Sequence, residues 1–505
     1  MEQFGQTNYF LYYGFCLFLA LLAHVLLRAK SGAGEQQPKP RLPPGPWQLP
    51  VIGSLHHLLR GLPHRTMRDL AQRHGPLMLL RVCERVAVVA SSAEAAREVF
   101  RDAAFEQRPG PGELSRHGHG VIFAPYGDRW RLLRRILMTE LLSARRVGAF
   151  RRVREDEAAR LVSSLLMASS SSPPGRRRLV DVGQRLAEFV ADSAVRAIFG
   201  DRLPDRAAFL RMLRRGQDPS SLFELGDLFP SSRLVRVLPR RSGKVERHMR
   251  EMVRLMDDIL RRHEERRAAG DGEQDMIDVL LRIRKEGDMR VSLTDEVIRA
   301  VLIDVFGAAL ETSTTTLQWT MAELIANPRV MQKAQSEIRH AMVGQARVHE
   351  AVLGDLHYLK AVIKETLRLH PPAPFLPRVG RGDCKIQGYD IPEGTIVLIN
   401  VWSISRDSKY WEDPETFKPE RFENDSTFDY KGFDFEFTPF GAGRRMCPGI
   451  TFSNANIEIA LASLLYHFDW KAEELDMTEK FGAVAMKRKA ELFLQPMPRI
   501  PLGAR

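Results

Sequence analysis

Near the C-terminal end of the chain stands Phe440-Gly441-Ala442-Gly443-Arg444-Arg445-Met446-Cys447-Pro448-Gly449. Two glycines before a lone cysteine, with Pro-Gly after it, describe a tight loop whose backbone comes close to another group. An amphipathic helical pattern follows from Phe452 to Leu465. The cysteine therefore precedes a helix N-terminus, where unpaired N–H groups and the dipole favour a thiolate. Arg444 and Arg445 add positive charge. The other cysteines, Cys16, Cys83 and Cys384, share no CxxC spacing with it, which excludes a four-cysteine zinc site. A thiolate with no second Cys or His at zinc spacing suits one axial bond to a haem iron; a buried structural cysteine is the plainer alternative.

A second constellation is Phe306-Gly307-Ala308-Ala309-Leu310-Glu311-Thr312-Ser313, mid-way along a helical pattern from about Leu293 to Leu324. Ser292 and Asp295 sit at capping-box spacing before it. The hydroxyl run Thr312 to Thr316 suits a helix interior poorly, because such side chains compete for backbone carbonyls. A Thr bonding back to the carbonyl four residues earlier bends a helix and leaves room beside it. Glu365 and Arg368 are three apart on a helix predicted over Leu359 to Leu369 and share a face. Trp130 and Arg134, four apart, do the same on an Arg-rich helix. Guanidinium groups bind carboxylates in bidentate fashion, so such a helix can hold an acidic group as well as face solvent.

The elements that must position these residues are mostly helical. Ala, Leu, Arg and Glu recur with helical period over Val245 to Arg267 and Pro328 to Met342, and short β-rich pieces occur at Val86 to Val89 and Ile396 to Ile399. The fold class is thus mainly α with small β-sheets (α+β). Ser169 to Arg178 is a low-complexity surface loop between helices. At the N-terminus, Tyr9 to Leu27 carries no formal charge and is long enough to span a bilayer of about 30 Å. Arg28, Lys30, Lys39 and Arg41 follow it, and none of these types precedes it, so the remainder is expected on the cytosolic side. The start, Met1-Glu2, lacks the basic residues of a cleaved signal. The predicted organisation is a membrane anchor over 1–30, a proline-rich hinge over 31–47 and a globular remainder over 48–505, long enough for about three domains or one large fold. At 505 residues the composition, 44% hydrophobic and 27% charged, excludes wholesale disorder, and a net charge of +12 invites membrane, acidic-partner or nucleic-acid readings.

Phe440, Gly443, Arg445, Cys447 and Gly449 match Phe-x-x-Gly-x-Arg-x-Cys-x-Gly, the haem loop of the cytochrome P450 family, and the whole chain resembles that family. The likeness includes the anchor and hinge, Trp130-x-x-x-Arg134, Glu311-Thr312, Glu365-x-x-Arg368 and Pro419-Glu420-Arg421-Phe422, in the pattern of the plant microsomal branch. It implies a single large P450 fold with haem b held by the Cys447 thiolate. Trp130, Arg134, Arg378 and Arg445 would face the haem propionates. A buried network of Glu365, Arg368 and Arg421 would brace the haem loop. Glu311 and Thr312 would pass protons to O2 bound opposite Cys447. Ala309 stands where the family usually has glycine, and Leu310 is bulkier than usual, which alters the groove above the iron. Electrons would come from NADPH through a reductase in the endoplasmic reticulum membrane, because this chain has no nucleotide motif.

The implied activity is a reductase-dependent monooxygenase. The resemblance places the substrate pocket at Ile122, Phe123, Val305, Ala309, Phe375, Leu376, Val484 and Ala485, an apolar set that suits a terpenoid such as a sesqui- or diterpenoid. The chain is also similar to grass enzymes acting on terpenoids. Phenylpropanoid, flavonoid or indole-derived substrates are the alternatives. Two other classes are a haem-thiolate isomerase or dehydratase that does not use O2, and a non-catalytic haem sensor; an intact Glu311-Thr312 pair argues against both. No nucleic-acid motif accompanies the positive charge, so no nucleic-acid partner is expected.

Overall fold

The computed structural model describes residues 40–109, 120–170, 179–200, 225–232, 235, 243–269, 275–287, 293–423, 428–482 and 485–500. The expected anchor, Ser292 and Val484 lie outside them. Among the described residues no helix is long and apolar enough to cross a membrane.

The principal helices are α1 (Pro63–His74), α2 (Ala93–Arg101), α3 (Asp128–Ile136), α4 (Arg151–Ser170), α5 (Val182–Phe199), α6 (Gly243–Ala268), α7 (Met276–Glu286), α8 (Asp295–Ala326), α9 (Pro328–Ala341), α10 (His357–Leu369) and α11 (Ile450–His467). The strands are β1 (Leu77–Val82), β2 (Arg85–Ala90), β3 (Val180–Asp181), β4 (Phe375–Val379), β5 (Cys384–Ile386), β6 (Tyr389–Ile391), β7 (Ile396–Asn400), β8 (Phe468–Lys471), β9 (Glu479–Phe481), β10 (Met486–Arg488) and β11 (Phe493–Pro498). The α-rich expectation, with small sheets, is met.

The two β-rich pieces seen in the sequence lie side by side. β2 and β7 pair in parallel, with Val88 opposite Val397, inside a sheet ordered β1-β2-β7-β4. Both strands carry a fully buried residue at that register, so alternation alone could not have paired them. Part of the proline-rich hinge is docked on this sheet. Residues 40–48 contain no helix, Leu79 donates its N–H to the Pro44 carbonyl at 2.7 Å, and a Cβ on Gly45 would stand 2.1 Å from the Leu79 oxygen.

The 32-residue α8, about 48 Å long, runs through the core against α5, α10 and α11. Its N-cap is Thr294, whose hydroxyl accepts the Val297 N–H, and not the expected Ser292. The hydroxyl run costs the helix little, because the hydroxyls form a ladder. Thr312 donates to the Ala308 carbonyl at 2.7 Å, Thr316 to Thr312 at 3.0 Å and Thr320 to Thr316 at 2.8 Å. One residue past Thr312, the Ser313 hydroxyl meets that of Ser453 on α11 at 3.1 Å. The helix with the acid-threonine pair is thereby fastened to the helix that leaves the Cys447 loop.

Candidate active site

The loop around Cys447 is built on glycine. Gly441 and Gly443 have φ of +72° and +67°, and a Cβ on Gly443 would stand 2.5 Å from the Phe100 carbonyl oxygen. A side chain there would be strained and blocked at once. The loop closes through the Cys447 N–H, which donates to the Phe440 carbonyl at 2.9 Å, while the Phe440 ring stands edge-on to Tyr430. The Cys447 thiol lies deep in the protein yet keeps accessible surface. Burial pushes its pKa up, against the Gly449 N–H and the charges of Arg108 and Arg134, which favour the thiolate.

Two guanidinium groups, Arg108 and Arg134, act on this thiol, and those of Arg378 and Arg445 stand close to Arg108. Burial pushes Arg378 down to about 9, with help from Arg108 and Arg445. Burial does the same to Arg445, to about 9, with Arg108 and Arg134 adding repulsion. Arg134 and Arg108 are also lowered, first by burial, and the nearby Cys447 works the other way. Crowded buried cations of this kind are stable only beside anions. Arg134 donates a hydrogen bond to no described residue, and Arg378 gives one to the Pro377 carbonyl at 2.9 Å. A thiol ringed by such cations fits an iron porphyrin with two carboxylates, and the residues that could hold it are Cys447, Arg108, Arg134 and Arg378.

Trp130 and Arg445 point their donors elsewhere than expected. The Trp130 indole N–H goes to the Val121 carbonyl at 3.1 Å, and the ring lies beneath Arg445, 4.4 Å from its centroid. Arg445 donates to the carbonyls of Glu106 at 2.8 Å, Val121 at 3.2 Å and Ala124 at 2.7 Å. Both residues therefore organise the backbone at Glu106 and from Val121 to Ala124, because buried carbonyls there need donors. Arg444 is paired with Glu106 at the surface.

Glu311 and Thr312 are neighbours in sequence but point about 100° apart around the helix. Thr312 keeps accessible surface with its hydroxyl proton given to Ala308. Glu311 is buried and faces the β9–β10 hairpin. Its Oε1 lies 2.8 Å from Lys487 Nζ in an ion pair, and a Cβ on Gly482 would stand 2.2 Å from the same oxygen. The hairpin is itself pinned, since Met486 accepts the Trp319 indole N–H at 3.1 Å and donates to the Pro372 carbonyl at 2.8 Å.

Glu365 and Arg368 have no exposed surface and make a bidentate pair at 2.7 and 2.8 Å. Arg368 also donates to the carbonyls of Ser405, Pro414 and Thr416. Glu365 further accepts the Lys418 N–H at 2.8 Å and Arg421 Nε at 3.2 Å. The expected three-residue network is present and nails α10 to the segment from Ser405 to Arg421. Trp411, under Arg368, and Phe437 carry that rigidity toward Phe440. Removing either member would strand a buried charge, at a cost of about 3–5 kcal/mol.

Of the expected pocket residues, Ile122, Phe123, Val305, Ala309, Phe375 and Leu376 are half-buried. Ala485 is fully buried, and its carbonyl accepts the Gly482 N–H at 2.8 Å.

A family model described as Cytochrome P450 matches residues 43–494. The chain belongs to the cytochrome P450 family. An ent-isokaurene C2/C3-hydroxylase of Oryza sativa subsp. japonica is 47% identical, covering 92% of this chain and 94% of its own. A dolabradiene monooxygenase of Zea mays is 45% identical over 96% of this chain and 98% of its own. A desmethyl-deoxy-podophyllotoxin synthase of Sinopodophyllum hexandrum is 43% identical over 91% and 92%. This P450 is a monooxygenase, of a family that works by haem-thiolate chemistry with O2 and a redox partner.

Two residues that sequence reasoning missed shape this P450's site. Arg108 donates to the Arg445 carbonyl at 3.0 Å and stands among the arginines at Cys447. Asp304 lies on α8, where burial pushes its carboxyl up to about 6 against two backbone N–H bonds and the charge of Arg108. A period-four spacing from Thr312 and Ala308 was the available signal for Asp304. For Arg108 the sequence held none.

Proposed function

We propose that this P450 inserts one oxygen atom from O2 into an apolar plant specialised metabolite, a terpenoid of sesqui- or diterpenoid size. The observation that carries this reading is the buried thiol ringed by arginines, set against a helix whose threonine is held by its own backbone. Relatives named for dolabradiene and ent-isokaurene support the substrate class.

Cys447 would hold the iron of haem b through its thiolate, and the Gly449 N–H with Arg108 and Arg134 would offset the cost of burying that charge. Arg134 and Arg378, with Arg108, hold the two propionates. Bound there, the haem supplies the O2 activation that no side chain can. Thr312, its proton committed to Ala308, presents its lone pairs to an incoming donor, and Glu311 is the acid that returns protons. Ile122, Phe123, Val305, Ala309, Phe375 and Leu376 exclude water and orient the hydrocarbon. Electrons come from NADPH through a separate flavoprotein reductase, and Tyr9 to Leu27 anchors the chain in the endoplasmic reticulum membrane with the catalytic domain on the cytosolic side.

The test is co-expression with a plant reductase, a carbon monoxide difference spectrum, and panels of terpenes and phenylpropanoids scored for NADPH-dependent products. The expected result is a thiolate-type spectrum that Cys447→Ser abolishes and oxidation confined to the terpenes. A normal spectrum in Cys447→Ser would sink the ligand assignment, and turnover of phenylpropanoids alone would sink the substrate class.

A further inference from the structure

Asp304 sits one turn before Ala308 and two before Thr312, on the same face of α8. Its Oδ2 accepts the backbone N–H of Val121 at 2.6 Å and of Ile122 at 3.0 Å. A Cβ on Gly120 would stand 2.1 Å from that same oxygen, so the chain wraps the carboxylate at a point where only glycine leaves room. The other edge of this short segment belongs to a different element. The Val121 carbonyl receives Trp130 and Arg445, and the Ala124 carbonyl receives Arg445. The stretch from Gly120 to Ala124 is thus gripped by its N–H groups on an anion of α8 and by its carbonyls on a cation of the Cys447 loop.

We propose that Asp304 is a positioning residue: it clamps Gly120 to Ala124 against α8, fixes where Ile122 and Phe123 stand, and so sets which carbon of a bound substrate is presented for oxidation. The inference rests on the reading of Ile122 and Phe123 as pocket walls. Two charge-assisted bonds on one oxygen hold a loop that contains no helix or strand of its own. Without the carboxylate, two N–H groups lose their acceptor and the segment samples several geometries. A misplacement of about 1 Å at a pocket wall is enough to change rate or regiochemistry markedly.

The experiment compares Asp304→Ala, Asp304→Asn and Gly120→Ala in the full-length protein by two measurements. The first is amide hydrogen exchange over 120–124, which needs no haem. The second is spectral titration with imidazole, which fits any pocket, and with phenylimidazole, which must pass the pocket walls. Asp304→Ala is expected to speed exchange at Val121 and Ile122 at least tenfold and to change phenylimidazole affinity at least fivefold, with imidazole affinity unchanged. Asp304→Asn keeps an acceptor oxygen and should restore most of both. Gly120→Ala crowds the carboxylate from the other side and should reproduce the loss, which covers the case in which Asp304→Ala does not fold. Unchanged exchange at Val121 and Ile122 in the folded variants would overturn the clamp. So would equal shifts for imidazole and phenylimidazole, which mark general damage to the haem site. If the parent protein gave no thiolate-type spectrum, the monooxygenase reading would fall while the exchange result still decided the clamp.

Discussion

The β9–β10 hairpin carries Lys487 to within an ion-pair distance of Glu311 on α8. The pair is close enough for a strong coulombic contact, with Glu311 buried and the lysine three-quarters buried. Removing the cation would take away a positive charge 2.8 Å from a buried carboxylate, a loss that shifts where the acid stands. Lys487→Gln is therefore expected to keep the carbon monoxide spectrum and lower product formed per electron pair supplied several-fold, with more peroxide released. Lys487→Arg should recover most of the coupling. Unchanged product and peroxide yields in Lys487→Gln would show that the pair is structural only. At this scale the acid itself was legible from its threonine neighbour, but its direction was not, because a helix can turn either residue toward the pocket.

Among the elements, α10 and α11 show how far local pattern reaches. Both were predicted within two or three residues of their observed ends, since long apolar periodicity outlasts uncertainty at the caps. What periodicity could not supply was the burial of individual polar groups. Glu458 lies mid-way along α11, and burial pushes its carboxyl up to about 7, eased by Lys360 and worsened by Glu350. Its folded pKa exceeds the unfolded value of 4.5, so the folded chain keeps this proton to higher pH. Stability contributed by the neutral acid is full below pH 4.5 and is lost as pH rises through about 7. The loss is at most about 3 kcal/mol. Glu458→Gln should therefore raise the melting temperature at pH 8 and leave it nearly unchanged at pH 4.5, as read by circular dichroism. An equal shift at both pH values would show that packing, and not ionisation, is responsible.

For the whole molecule, the +12 charge divides among uses that only the fold separates. Arg108, Arg134, Arg378 and Arg445 are drawn inward around Cys447, whereas Arg131, Arg135 and Arg444 stay exposed beside them. Arg131 is paired with Asp128 and Arg444 with Glu106, and exposed arginines of this kind can exchange such partners for the carboxylates of an acidic redox partner. Electron transfer from the redox partner is then expected to slow steeply between about 0.01 and 0.1 M salt, as the Debye length falls from about 30 to about 10 Å. A first-electron rate indifferent to salt in stopped-flow measurements would remove this use of the charge. By itself the sequence determined the chemistry of the loop, the helices and the Glu365–Arg368 pair, because turn residues, periodicity and helical spacing act over a few residues. Only the tertiary structure decided that Arg108 joins the ring, that Trp130 and Arg445 serve the backbone at Glu106 and from Val121 to Ala124, and that Asp304 and Lys487 matter. Those contacts join residues far apart in the chain, where the partner is chosen by packing and by the need of buried polar groups for one another.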